Sequence, residues 1–132
     1  FFDGFVFNSK DEKHKDEIDI KRGGIFILVQ GIRALSLQNK IYNTNTIKRI
    51  NALADLGLFE KETAKELIMA FNFLTSLKLK SNLEKLDLNE KIDNYINPNK
   101  FSTMEKDLLK DSFKIVNKLK KHLEFHFKLN YV

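Results

Sequence analysis

The sequence predicts a mainly α protein, a helical bundle of about five helices with a short N-terminal β-hairpin. Three observations lead to this prediction. The chain has 132 residues, which is enough for a single hydrophobic core. Apolar residues recur at steps of three and four along most of its length. Residues that break helices are scarce after residue 24, because only Gly31, Gly57 and Pro98 occur there.

The first 22 residues have a different pattern from the rest of the chain. Phe5 to Phe7 are apolar, residues 8–17 are polar, and Ile18 to Lys21 alternate between apolar and charged side chains. Alternation predicts strands, and the polar run predicts a turn between them. An isolated hairpin is only marginally stable in water, so we expect it to pack on the helices or to complete a sheet of another domain.

Five helical segments follow in the prediction. The first spans Ile25 to Asn39 and is apolar on most faces, so we expect it to lie at the centre of the bundle. The second spans Ile47 to Leu56, with cap candidates on either side. The third spans about Lys61 to Lys85, and the fourth is a short helical piece that Asn94 to Pro98 ends. The last begins at Ser102 to Glu105, whose pattern is that of a capping box.

Composition excludes several classes of protein. There is no cysteine, so disulfides, thiol nucleophiles and cysteine-bound zinc are excluded. The net charge of +5 arises from 20 lysines and only three arginines. Lysine is a flexible, hydrated point charge, whereas the planar arginine binds phosphate and carboxylate bidentately. We therefore give more weight to the arginines, which are Arg22, Arg33 and Arg49.

A candidate phosphate site lies at Lys21-Arg22-Gly23-Gly24. A strand delivers two cations, two glycines permit close approach of the backbone, and a helix is expected to begin there. Helix N-termini attract phosphates through free N–H groups and the helix dipole. The alternative is that the two glycines simply form a turn.

Arg33 is a second candidate because it lies in the apolar first helix. A buried arginine is costly unless it has a partner. Two interpretations stay open: Arg33 binds a ligand, or it pairs with a structural carboxylate such as Asp55 or Glu66.

Two weaker patterns could suggest a metal site. Glu17 and Asp19 share one face of a strand, and His122 and His126 are spaced i, i+4 on the last helix. We interpret both pairs as solvated side chains, and we expect neither a metal site nor catalytic residues in this chain.

An ordered set of motifs resembles a known family. The set begins with Ile18-Asp19-Ile20-Lys21-Arg22-Gly23-Gly24-Ile25 and Gly31-Ile32-Arg33-Ala34-Leu35-Ser36-Leu37. It continues through Thr46 to Leu53, Ala70 to Leu74, Leu77 to Lys80, Asn94 to Pro98 and Leu108 to Lys110. The chain resembles the nucleotidyltransferase substrate-binding domain, a C-terminal helical domain of bacterial signal-transduction proteins. More distantly, it is similar to the helical region of glutamine-synthetase adenylyltransferase and PII uridylyltransferase.

The resemblance implies a division of the chain and a set of site residues. Residues 1–22 would be a hairpin remnant at the junction with an upstream nucleotidyltransferase domain, and residues 23–132 the helical substrate-binding domain. The family has basic residues at the positions of Lys21, Arg22, Arg33, Arg49, Lys78 and Lys80, to which we add Gly23 and Gly24. At Lys78 and Lys80 the family usually has arginines, so phosphate contacts there are the least secure.

The function implied by the resemblance is a non-catalytic, cytoplasmic domain that positions a nucleotide or an acceptor protein. Mg²⁺ and a nucleoside triphosphate would belong to the parent protein, and neither membrane nor nucleic-acid binding is expected. The alternative is a helical interaction or dimerisation module without a ligand, in which the arginines hold the helices together through ion pairs.

Overall fold

The computed structural model describes residues 16–127, and helices make up most of this part of the chain. The mainly α class is thereby confirmed. The four long helices are α1 Phe26–Gln38, α2 Thr46–Asp55, α3 Lys61–Asp87 and α4 Thr103–Phe127. None of the helices within residues 16–127 has the length and hydropathy needed to cross a membrane.

Two short strands form an antiparallel pair. β1 is Ile18–Asp19 and β2 is Tyr95–Ile96, with Ile18 opposite Ile96 and Asp19 opposite Tyr95. A further hydrogen bond, from the Ile20 N–H to the Asn94 carbonyl oxygen at 2.9 Å, extends the pairing. A short antiparallel pair at the N-terminal side is thus present, but the partner of β1 comes from a segment more than 70 residues away in the chain.

This pairing corrects the prediction of a short helical piece ended by Asn94 to Pro98. The segment is β2 followed by a single 3-10 turn at Pro98–Lys100, so the bundle has four long helices in residues 16–127. Pairing with β1 buries Ile96, which is 3% exposed, against the core. The other strand of the predicted hairpin, Phe5 to Phe7, lies outside the described residues.

The core is formed by one continuous set of apolar side chains from the strands and all four helices. α3 packs along α4, and α1 packs against α2 and α4. Ile18 and Ile20 are fully buried in the same core as the helices. β1 and the helices therefore share one core, and the division of the chain at residues 22 and 23 stays a prediction.

Local signals place the helix ends close to the predicted positions. The Asn45 side chain caps α2 by accepting a hydrogen bond from the Lys48 N–H at 3.0 Å. Gly57 follows α2 with a φ of +82°, a conformation that glycine adopts without strain. At the start of α4, Ser102 and Glu105 form the predicted capping box through reciprocal hydrogen bonds of 3.1 Å.

The start of the first helical segment differs from the prediction. A π-helical turn, Lys21–Ile25, precedes α1 and continues into it, so the helix begins before the two glycines. Gly24 lies where an added Cβ would be only 3.0 Å from Leu74 Cδ1 and 3.2 Å from Phe113 Cε1. The missing side chain therefore allows this turn to pack directly on α3 and α4.

The prediction that α1 lies at the centre of the bundle is wrong for one of its faces. Leu28, Ile32 and Leu35 are buried as expected. No other element of residues 16–127 covers the opposite face, which includes Phe26, 53% exposed, and Leu37, 49% exposed.

Candidate functional site

Lys21 and Arg22 lie at the first turn of the helical segment, and both side chains are exposed. The Arg22 backbone N–H donates a hydrogen bond of 2.9 Å to Asp19 Oδ1. The carboxylate of Asp19 therefore satisfies one of the free N–H groups that the sequence assigned to a phosphate.

Gly23 and Gly24 are buried within that turn. The structure gives Gly24 a packing role, because a Cβ atom at this position would lie within 3.2 Å of the side chains of Leu74 and Phe113. A direct contact of either glycine with a ligand stays a prediction.

Arg33 lies on the uncovered face of α1 and is exposed. Within residues 16–127, neither its guanidinium group nor that of Arg22 has an ion-pair or hydrogen-bond partner. The interpretation in which Arg33 pairs with Asp55 or Glu66 is therefore wrong. Because the side chain is exposed, its charge carries no burial cost that a carboxylate would have to offset.

Arg49 has a local structural contact instead. It lies on α2, is half-buried, and its Nε–H donates a hydrogen bond of 2.5 Å to the Asn43 carbonyl oxygen. This contact ties the loop between α1 and α2 to the first turns of α2, so Arg49 is less available to a ligand than Arg22 or Arg33.

The two predicted lysines lie on α3. Lys78 is half-buried, and it follows by one turn the Leu74 side chain that touches Gly24. Lys80 is exposed, and its Nζ is 3.4 Å from Glu105 Oε2. Hydrogen bonds from Ser102 hold the pKa of Glu105 below its ordinary value, and the nearby charge of Lys80 lowers it further.

The predicted residues therefore do not converge on one point. Arg22 and Arg33 are 11 residues apart on one continuous helical segment, which corresponds to about 16 Å along its axis. A ligand that contacts both arginines must be extended.

The sequence is similar to a known protein family over almost its whole length. The model of the family described as "Putative nucleotidyltransferase substrate binding domain" matches residues 1–127. The chain belongs to this family. No curated protein and no solved structure matched the chain.

In this member of the family, the structure also shows a cavity that the sequence did not indicate. It has a volume of about 560 Å³ and lies between the second half of α3 and the segment from Leu88 to Phe101. Its charged lining side chains are four lysines and four carboxylates, so their formal charges sum to zero. They are Lys80, Lys85, Lys91, Lys100, Glu17, Glu84, Glu90 and Asp93.

The polar groups at one wall of this cavity are bound to each other. Lys85 Nζ forms an ion pair with Asp93 and donates a hydrogen bond of 2.7 Å to the Tyr95 carbonyl oxygen. Asp93 Oδ1 also accepts the Tyr95 N–H at 3.0 Å. These bonds hold β2 against α3.

The histidine pair does not form part of a metal cluster within residues 16–127. The rings of His122 and His126 stack with their centroids 6.0 Å apart, and His126 Nε2 is 2.5 Å from Gln38 Oε1. No group of three or more possible ligands for a metal ion occurs in the described part of the chain.

Proposed function

We propose that this domain binds an anionic substrate of a nucleotidyltransferase and presents it to a catalytic domain, without performing the transfer itself. The observation that carries the proposal is that Arg22 and Arg33 are exposed and unpaired within residues 16–127. The family description names substrate binding, and free guanidinium groups are the side chains best suited to carboxylate and phosphate.

The other predicted cations have smaller roles in this proposal. Lys21 adds positive charge beside Arg22, and Lys78 adds charge on α3. Arg49 and Lys80 are already engaged with Asn43 and Glu105, so they contribute to the local electrostatic potential more than to direct contacts. Mg²⁺ and the nucleoside triphosphate are assigned to the catalytic domain.

The alternative module, held together by arginine ion pairs, has less support. Arg22 and Arg33 make no such pairs within residues 16–127, and the bond of Arg49 is to a backbone carbonyl. Apolar packing along α3 and α4 connects the helices instead.

Kinetics of the nucleotidyltransferase that contains this domain test the proposal. In a variant with Arg22→Gln and Arg33→Gln, we expect KM for one of the two substrates to rise about tenfold while kcat stays within about twofold. Lys65→Gln, which removes an exposed charge from α3, is the control. Unchanged KM values for both substrates, or turnover by this domain alone with Mg²⁺ and nucleoside triphosphates, would refute the proposal.

A further inference from the structure

One face of the helical segment formed by the turn Lys21–Ile25 and α1 combines exposed apolar residues with two arginines whose guanidinium groups have no ion-pair or hydrogen-bond partner within residues 16–127. The α1 outer face consists of Arg22, Phe26, Gln30, Arg33 and Leu37, which follow one another at steps of four, four, three and four residues. Such steps bring side chains to one side of a helix. All five side chains are exposed, and the face extends for about 22 Å.

The composition of this face is that of a protein interface. Phe26 and Leu37 leave about half of their surface in water, although the opposite side of α1 buries Leu28, Ile32 and Leu35 in the core. Aromatic residues and arginine are enriched where proteins bind one another. The spacing from Phe26 through Gln30 and Arg33 to Leu37 is also the spacing with which one helix packs along another.

The positive charge of the α1 outer face favours an acidic partner. The face carries two positive charges about 16 Å apart and has no carboxylate among its five residues. A partner helix with an apolar stripe and a carboxylate near each arginine would complement it. A second copy of this face would bring two more arginines and no acid, so like charges would meet.

The convex shape of the α1 outer face favours a protein ligand over a free nucleotide. Small-molecule sites are concave and enclose most of their ligand. A helix surface is convex, and the 560 Å³ cavity is lined by α3 and the segment around β2 rather than by α1.

We propose that the α1 outer face binds an acidic amphipathic helix of the protein substrate that receives the nucleotidyl group. This inference rests on the proposed function and names the substrate class for it. Arg22 and Arg33 would pair with two carboxylates of the partner helix. Phe26, between the arginines, and Leu37, one turn after Arg33, would pack on its apolar stripe.

A designed peptide provides the direct test. The probe is a helical peptide of about 18 residues. It has leucines at steps of four, three and four, and two glutamates 11 residues apart to match the spacing of Arg22 and Arg33. Because this leucine spacing is the same in both chain directions, the peptide can bind in either orientation. Its matched control has lysines in place of the two glutamates. Titration calorimetry is expected to give a dissociation constant on the order of 100 µM or tighter for the glutamate peptide.

Variants of the domain locate the contact. Arg33→Glu and Phe26→Ser should each weaken binding of the glutamate peptide about tenfold or more, whereas Lys65→Glu should leave it within about twofold. The inference is overturned if the glutamate peptide does not bind at about 1 mM, if the lysine peptide binds equally well, or if Phe26→Ser changes nothing.

Other occupants of the face give distinguishable results. Dimerisation that Phe26→Ser abolishes would assign the face to a second copy, and binding of an oligouridylate that Arg33→Glu abolishes would assign it to RNA. Either result overturns the inference. In the kinetic assay, a raised KM for the nucleoside triphosphate alone would also overturn it while leaving the proposed function intact, whereas a raised KM for the protein substrate alone supports both.

Discussion

The α1 outer face and the corner around β2 are both charged surfaces, but their charges are arranged differently. In the β2 corner, defined here by Lys80, Lys85, Asp93, Tyr95 and Glu105, the lysines have carboxylate partners and Asp93 also accepts a backbone N–H. On the α1 outer face, the two arginines have no partner within residues 16–127.

This difference separates charges that support the fold from charges that are available to a ligand. Removing a partner in the β2 corner leaves partly buried groups without their hydrogen bonds, which reduces stability. Removing an exposed arginine that has no ion pair or side-chain hydrogen bond in the described part of the chain removes no such bond from it. Stability measurements and binding measurements should therefore respond to different residues.

The largest stability effect is expected in the β2 corner. Asp93→Ala removes the partner of Lys85 and the acceptor of the Tyr95 N–H, so the free energy of unfolding should fall by about 1–2 kcal/mol in urea denaturation. Asp93→Asn, which keeps an oxygen acceptor, should lose less. Equal stability of wild type and Asp93→Ala would show that these bonds do not hold β2 in place.

A smaller loss is expected at the capping box of α4. Ser102→Ala removes the hydroxyl that accepts the Glu105 N–H, and loss of such a cap typically costs about 1 kcal/mol. The thermal midpoint should fall accordingly, while Thr103→Ala, one position further along, serves as the control. A midpoint that Ser102→Ala leaves unchanged would contradict the assigned cap.

A still smaller effect is expected from acid. Because Ser102 and Lys80 lower the pKa of Glu105 in the folded state, its ionised form contributes stability above the ordinary value of 4.5. That contribution should be lost as pH falls from 4.5 through the lower folded pKa. Glu105→Gln should reduce this part of the pH dependence, and an identical slope in the variant would argue against the lowered pKa.

The smallest stability effect is expected on the α1 outer face. Arg22→Gln and Arg33→Gln, singly or together, should change the free energy of unfolding by no more than about 0.5 kcal/mol, because neither side chain has a partner in the described part of the chain. A loss of 1 kcal/mol or more would mean that these arginines stabilise the fold after all, and it would weaken the comparison on which the proposed function rests.

Local signals explain which parts of the fold could be predicted. The capping box at Ser102 and Glu105, the cap at Asn45 and the glycine after α2 depend on neighbours in the sequence, and the structure shows all of them. The buried face of α4 could also be predicted from the sequence, because its apolar residues recur at steps of three and four.

Long-range contacts explain what could not be predicted. Tyr95 and Ile96 form a strand only because β1 lies beside them, and no local pattern reports that pairing. Periodicity also could not show which apolar face of α1 the bundle covers, because both faces contain large apolar side chains. The fold also distinguishes the arginines, because Arg49 is bound to a backbone carbonyl whereas the guanidinium groups of Arg22 and Arg33 have no ion-pair or hydrogen-bond partner within residues 16–127.

The most direct measurement uses the three arginines themselves. With only three in the chain, the NMR spectrum of the side-chain Nε–H groups should contain three signals, which single Arg→Lys variants would assign. On addition of the two-glutamate peptide, the account predicts that the signals of Arg22 and Arg33 shift while that of Arg49, bound to Asn43, stays in place. If Arg22 and Arg33 do not respond to that peptide, to ATP or to inorganic tripolyphosphate, the central claim that they bind an anionic substrate is contradicted.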